Sequence, residues 1–283
     1  MFTVGLVELD RRFSYVPLTG DGWRLIRLAG KGRHGKILEG GFSSPELNAI
    51  AILGQGPEKF RLAQKALSSR KHLLIEFPAT ETVDRARALN EKAIHNSTWI
   101  YSPNLLKTEP SLKMLSQRAR DSGRLLSLTV TSGVEAKQKN TEFLLRVAQL
   151  LDLVEWLADS KLREAYCEKS TVRLSMPALV VLASFNNDVK AMLNVYSAGA
   201  DGSHVGLCVD GVYEDCILHA DPYAQSIRII PFREERVKSI NWSTTSMVEV
   251  IEDLTNRIEK AKQPLDLENL QRLLDLAEQI VGG

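Results

Sequence analysis

From Ser43 to Leu89 the apolar positions follow first a strand pattern and then a helical one, twice over. Ala49-Ile50-Ala51-Ile52-Leu53 is apolar without alternation, as in a strand covered on both faces. Gly54-Gln55-Gly56-Pro57 then predicts a helix start with proline in the first turn. Along that helix Phe60, Ala63, Ala66 and Leu67 keep one apolar stripe, and Lys59, Arg61, Gln64 and Lys65 are expected to face water. Leu73-Leu74-Ile75 predicts a second buried strand ending at Glu76-Phe77-Pro78, and Thr82-Val83-Asp84 opens the next helix. The stretch reads as a βαβα unit of a parallel sheet. Ligands of open α/β sheets sit at the carboxyl ends of the strands, so the turns at 54–57 and 76–80 line any cleft here.

The flanks extend this pattern. Thr3 to Glu8 and Trp23 to Leu28 predict strands, separated by a polar stretch with Pro17 and Gly20-Asp21-Gly22 and no helical periodicity. Downstream come a helix over Asp84 to Ala93, a strand at Trp99-Ile100-Tyr101, and a helix over Pro110 to Arg120 that Asp121-Ser122-Gly123 terminates. Arg124 to Thr131 alternates apolar and polar residues, the mark of a half-covered strand, and places a domain boundary near residue 122. Glu142 to Ala158 carries Phe143, Leu144, Val147, Leu150, Leu151, Val154 and Leu157 at helical spacing. From Ser170 strands are expected at Arg173-Leu174, Ala178 to Ala183, Ala191 to Ser197, His204 to Val209, Val212 to His219 and Ser226 to Pro231. Asp210-Gly211 reads as a two-residue hairpin turn, which would set Val209 against Val212 and Cys208 against Tyr213. The tail from Met247 to Val281 predicts two amphipathic helices broken at Gln263-Pro264, the second with Leu270, Leu273, Leu274, Ala277 and Ile280 on one face.

Composition narrows the function classes. The 283 residues carry 36 Lys and Arg against 35 Asp and Glu, a formal charge of +1, which supplies no field for nucleic acid and no polybasic membrane anchor. The opening apolar run is too short for a signal peptide or a membrane span, and a cytoplasmic location is the expectation. Cys167, Cys208 and Cys216 are odd in number and lack CxxC spacing, so reduced thiols are expected, and neither a disulfide framework nor a metal site. His204, Cys208, Cys216 and His219 gather near one another in sequence, yet Cys216 and His219 differ by an odd step and point apart on a strand.

Lys71-His72-Leu73-Leu74-Ile75-Glu76-Phe77-Pro78-Ala79 resembles the GKHVLVEKP signature of the glucose–fructose oxidoreductase/inositol dehydrogenase (Gfo/Idh/MocA) family, and the aromatic after Glu76 is most like its biliverdin reductase branch. The resemblance implies a truncated or degenerate Rossmann-type dinucleotide-binding domain over 1–122. An open, mainly antiparallel β-sheet domain with helices on one face follows over 123–283, and its last helix, about 265–281, packs back on the first domain. It also implies a homodimer formed through the second domain's sheet.

Laid on the family's first strand, Val4-Gly5-Leu6-Val7 puts Glu8, Asp10 and Phe13 where G-x-G-x-x-G has its glycines. Those glycines allow a tight turn, close approach to a pyrophosphate and helix packing. Two carboxylates here oppose a phosphate instead. Lys31 and Arg33 follow the second strand where an acidic residue for a ribose is expected; a solvated basic turn and a 2′-phosphate site are the alternatives. The family's lysine after Glu76 is Phe77, read as a buried aromatic. D-x-G-x-H-x-x-D, aligned through Asp152, puts Leu145 at the first aspartate and Gln149 at the histidine, neither able to transfer a proton at neutral pH.

No catalytic residue is therefore assigned. For a bound NAD(P) the resemblance offers Gly54, Gly56, Glu76, Phe77 and Pro78, and for a substrate cleft Asn104, Gln149 and Asp152. The leading expectation is a divergent family member that has lost dinucleotide binding, needs no cofactor, and acts as a binding or assembly protein with a protein partner. An NAD(P)H-dependent reductase of biliverdin reductase type and a small-molecule sensor are the alternatives.

Overall fold

The computed structural model describes residues 1–9, 19–20, 22–30, 39–56, 58–121, 123–135, 140–171, 177–198, 206–233, 238–241, 252 and 265–282. Contacts divide the chain into two units, the first made of Met1–Leu105 with Thr245–Arg272, the second of Leu106–Thr244 with Leu273–Gly283.

The first unit holds β1 (Phe2–Glu8), β2 (Thr19–Gly20), β3 (Trp23–Gly30), β4 (Ala49–Leu53), α1 (Lys59–Ser68), β5 (His72–Ile75), α2 (Val83–His95) and β6 (Ile100–Tyr101). Its sheet runs β2-β3-β1-β4-β5-β6, parallel throughout except for β2. The βαβα unit between β4 and α2 stands as its periodicity predicts. Before β3 the chain enters through a tight antiparallel hairpin, in which Gly20 faces Trp23 and Gly22 takes φ +77°.

Each sheet face has its own core. Ile50, Ile52, Leu73 and Ile75 pack with Leu62, Ala63, Ala66 and Leu67 of α1 and Leu89 and Ala93 of α2, and Leu265 joins that cluster. Val4, Leu6, Trp23, Leu25, Ala49, Ala51, Leu53 and Leu74 form the core of the opposite face with Leu105 and Tyr101. One expectation fails on this unit. Lys59 does not face water but is 3% exposed, because its ammonium finds backbone acceptors inside. His72 is half-buried, its Nδ1 accepting the Trp99 N–H at 3.1 Å.

The second unit contains α3 (Pro110–Asp121), β7 (Leu125–Glu135), α4 (Asn140–Ala158), β8 (Leu162–Thr171), β9 (Pro177–Phe185), β10 (Lys190–Ala198), β11 (Leu207–Tyr213), β12 (Cys216–Asp221), β13 (Ser226–Pro231) and β14 (Lys238–Asn241). The sheet order is β14-β13-β12-β11-β7-β10-β9-β8, antiparallel but for the β7–β10 pair. The last helix, α5 (Leu267–Gly282), straddles the division, and Leu270, Leu273, Leu274, Ala277 and Ile280 are all buried as its periodicity predicts. The helix expected before Pro264 and the strand at Arg173-Leu174 lie outside the described residues. β8 and β14 were not expected: β8 is an edge strand whose exposed residues, such as Tyr166, leave little apolar alternation to read.

The Asp210-Gly211 hairpin is corrected. Both residues lie inside β11, the chain turns at Glu214-Asp215, and the register sets Asp210 against His219 and Val212 against Ile217. Gly211 is there for space. A Cβ would lie 2.7 Å from Leu115 Cδ2 of α3 and 3.0 Å from the Tyr213 ring. The ring is itself fixed, its hydroxyl donating to the Leu115 carbonyl at 2.6 Å. Burial pushes that phenol well above its usual range, with Cys216 adding to the shift and Arg118 opposing it.

The face of this sheet turned away from the buried residues of β7, β9 and β10 carries one continuous row across all eight strands: Tyr166, Leu182, Met192, Thr129, Asp210, His219, Arg228 and Ser239. Its first three members are apolar or aromatic. Its far half is polar and holds Asp210 and Arg228, with the His219 Nδ1 paired to Asp210 Oδ1 at 2.7 Å.

Candidate functional site

The strand order of the first unit reverses at β1, since β3 lies on one side and β4 on the other. In an open α/β sheet that reversal opens the ligand crevice at the carboxyl ends of the two central strands. Here those ends are Glu8-Leu9 and Leu53-Gly54, tied together by the Leu9 N–H donating to the Leu53 carbonyl at 2.8 Å.

Glu8 is the last residue of β1. It projects on the face of Val4 and Leu6, opposite to α1 and α2. Its carboxylate meets Arg27 of β3, with Oε2 3.3 Å from Nε and Oε1 3.5 Å from Nη2. The glutamate side chain is 9% exposed and the arginine 48%. The sequence argument that Glu8 repels a phosphate is thus amended. The position is occupied by an ion-paired carboxylate, where a glycine would leave space and bare backbone. Asp10, Phe13, Lys31 and Arg33 lie outside the described residues.

The second half of the crevice floor is a buried clamp. Gly54 follows β4 at φ +89°, a conformation that side chains avoid, and its N–H donates to Glu76 Oε2 at 2.7 Å. Glu76 is 1% exposed. Lys59, in the first turn of α1, donates from Nζ to the Glu76 and Pro78 carbonyls, both at 2.6 Å, and to Gln55 Oε1 at 2.9 Å. The Phe77 N–H donates to the Pro103 carbonyl at 2.9 Å, the Phe77–Pro78 peptide is cis, and Phe77 is buried as expected. Four of the five residues offered for a nucleotide therefore meet: Gly54, Glu76, Phe77 and Pro78. Gly56 touches the group only through its carbonyl, which accepts the Lys59 backbone N–H at 3.1 Å, and a Cβ there would meet open space.

Lys59 is the residue that sequence reasoning missed. No local signal marks it, since the helix dipole disfavours a first-turn cation and more so out of water. Its three contacts explain the placement, because two buried carbonyls need donors once the Glu76–Pro78 turn leaves the sheet.

Asn104 is buried in the first unit, whereas Gln149 and Asp152 belong to the second, on α4. The Gln149 amide oxygen accepts from Arg146 Nη1 at 2.6 Å, and Arg146 Nε donates to Ser132 Oγ at 2.9 Å. Asp152 pairs with Lys107 at 2.7 Å. Glu155, three residues on, accepts from the Leu162 N–H and pairs with Lys161. The polar stripe on this apolar helix is thus met side chain by side chain, and Gln149 has no proton to give. Among the described residues no three His, Cys, Asp or Glu side chains group to hold a metal ion. The Cys208 thiol is pushed up by burial and by Asp221 and Asp210, so it stays protonated near neutrality.

Among the described residues two features do not suit a dinucleotide. The first glycine position carries an ion-paired carboxylate, and the backbone N–H of Gly54 is directed to Glu76 rather than outward.

No family model matches the chain, and no curated protein does. Solved structures do match it over nearly its whole length. Biliverdin reductase from Synechocystis sp. PCC 6803, solved with biliverdin and NADP+, aligns with a TM-score of 0.64 and 16% identity, covering 99% of each chain. A dehydrogenase (MviM) from Clostridium difficile aligns at 0.71 with 11% identity, again over 99% of each. UDP-N-acetylglucosamine 3-dehydrogenase GnnA from Acidithiobacillus ferrooxidans aligns at 0.63 with 19% identity, over 84% of this chain and 78% of that one. The parallel sheet followed by a mainly antiparallel one is thus the fold of Gfo/Idh/MocA-type dehydrogenases and biliverdin reductase.

Proposed function

We propose that this chain keeps the oxidoreductase fold without its dinucleotide chemistry and acts as a binding or assembly protein. The observation that supports the reading is the Glu8–Arg27 pair at the end of β1, where the fold's working members need a bare glycine turn. The neutral Gln149, held by Arg146, supports it from the second unit, since a general acid is absent from that position. Partners come with this reading: a second copy on the outer face of the eight-stranded sheet, and a protein that the pair then binds.

The test is a titration of the purified chain with NADPH and with NADH, followed by tryptophan emission. No saturation up to millimolar nucleotide is expected. Micromolar binding overturns the reading. A reductase of biliverdin reductase type is the second reading, favoured by the ordered Glu76-Phe77-Pro78 turn. It requires that biliverdin absorbance fall when NADPH is added with the protein.

A further inference from the structure

We propose that Glu8 is a built-in occupant of an anion seat whose host is Arg27, and that the seat takes a ligand phosphate once the carboxylate is removed. The inference rests on the reading of a crevice closed to dinucleotides, and it says what closes it.

Three observations carry it. First, the guanidinium presents two nitrogens to two oxygens, the planar fork that suits a carboxylate or a phosphate alike. Both contacts, 3.3 and 3.5 Å, are longer than the ~2.7–2.9 Å of a tight charge-assisted bond, so the carboxylate fills the seat without fitting it closely. Second, the burial is unequal. Arg27 is half-exposed while Glu8 is largely covered, so solvent and any incoming anion reach the cation first. Third, the pair stands at the strand-order reversal beside Gly30, opposite Glu8 in the register, where an open α/β sheet receives ligands. A surface ion pair elsewhere on the sheet lacks that location; Arg24 and Glu46, for example, pair beside the start of β3.

The charge arithmetic gives the direction. With Glu8 in place its carboxylate offsets the Arg27 charge and a second anion gains little. Glu8→Gln keeps the side chain's size and leaves one positive charge. Glu8→Ala leaves the charge and adds room for a phosphate.

The experiment titrates the full chain, as wild type, Glu8→Ala, Glu8→Gln and the double variant Glu8→Ala with Arg27→Ala, against inorganic pyrophosphate and against NADPH by calorimetry. Thermal melts confirm that each variant is folded, and Glu8→Gln carries the test if Glu8→Ala does not fold. Expected is pyrophosphate binding at least ten-fold tighter in both single variants than in wild type, weakened by salt and lost in the double variant. Binding of NADPH by Glu8→Ala as well assigns the seat to a nucleotide's phosphates, and pyrophosphate binding alone assigns it to a free polyphosphate. Folded single variants that bind no tighter than wild type overturn the proposal, as does a gain that survives Arg27→Ala. NADPH binding by wild type overturns the functional reading instead. The seat then stands only if Glu8→Ala still tightens binding ten-fold through Arg27.

Discussion

Replacing Lys59 by methionine tests the clamp under the crevice. The side chain keeps nearly its length, but the Glu76 carbonyl, the Pro78 carbonyl and Gln55 Oε1 each lose a donor at 2.6, 2.6 and 2.9 Å. A buried acceptor left unsatisfied costs about 1–3 kcal/mol. Relief from burying an ammonium returns several kcal/mol, but breaking a buried charged contact by removing one partner still costs about 3–5 kcal/mol in practice. Gln55 turns to water more easily than the two carbonyls, so the expected loss is about 3 kcal/mol, at the low end of that range. The assay is urea unfolding by circular dichroism, with hydrogen exchange read on segments 49–56 and 72–80, where protection should fall most. Arg61→Met is the control. Its side chain is 51% exposed on the same helix, and a change within about 0.5 kcal/mol is expected. A similarly small loss for Lys59→Met, with unchanged exchange, would mean that the lysine lies in water after all, as the helical stripe alone suggests.

Two further outcomes follow from packing and protonation. Gly211→Ala drives a Cβ to 2.7 Å from Leu115 Cδ2 and should cost about 1–3 kcal/mol; adding Leu115→Ala should recover part in a double-mutant cycle, and a neutral Gly211→Ala refutes the packing account. Burial lowers the pKa of His72 below 6.5, and its Nδ1 accepts the Trp99 N–H only when unprotonated. Below pH 6.5 the unfolded chain takes up a proton that the folded one resists, so this contribution is complete above that value and declines as the pH falls. Urea midpoints between pH 7.5 and 5 should show a shallower decline for His72→Gln than for wild type, and equal declines contradict the assignment.

The βαβα unit was legible because buried parallel strands and amphipathic helices leave different periods in the same apolar letters, and Ala49–Leu53 and His72–Ile75 fall where the runs stand. α4 was legible for the same reason. What failed turned on contacts between segments distant in sequence. Asp-Gly is a turn signal only when both residues are free to turn, and here Leu115, nearly a hundred positions earlier, needs the space over Gly211. A lysine on a helix reads as solvated until two carbonyls from another turn are placed beside it. At the candidate site the sequence located Glu8 at the end of the first strand. It had no means of supplying Arg27, which lies on the neighbouring strand and pairs with that carboxylate.

The row from Tyr166 to Ser239 gives the outer face of the second sheet a heading, like a compass needle laid across the strands. A two-fold axis along the row sets Arg228 over Arg228 and Asp210 over Asp210 of a copy, stacking like charges. An axis through β7 and parallel to it reverses the needle, so that Tyr166 lies over Arg228, Leu182 over His219 and Met192 over Asp210. The first arrangement sets like charges together at Asp210 and Arg228, while the second brings a guanidinium to an aromatic ring. For the proposed pair of copies, charge alone therefore favours the second bearing over the first.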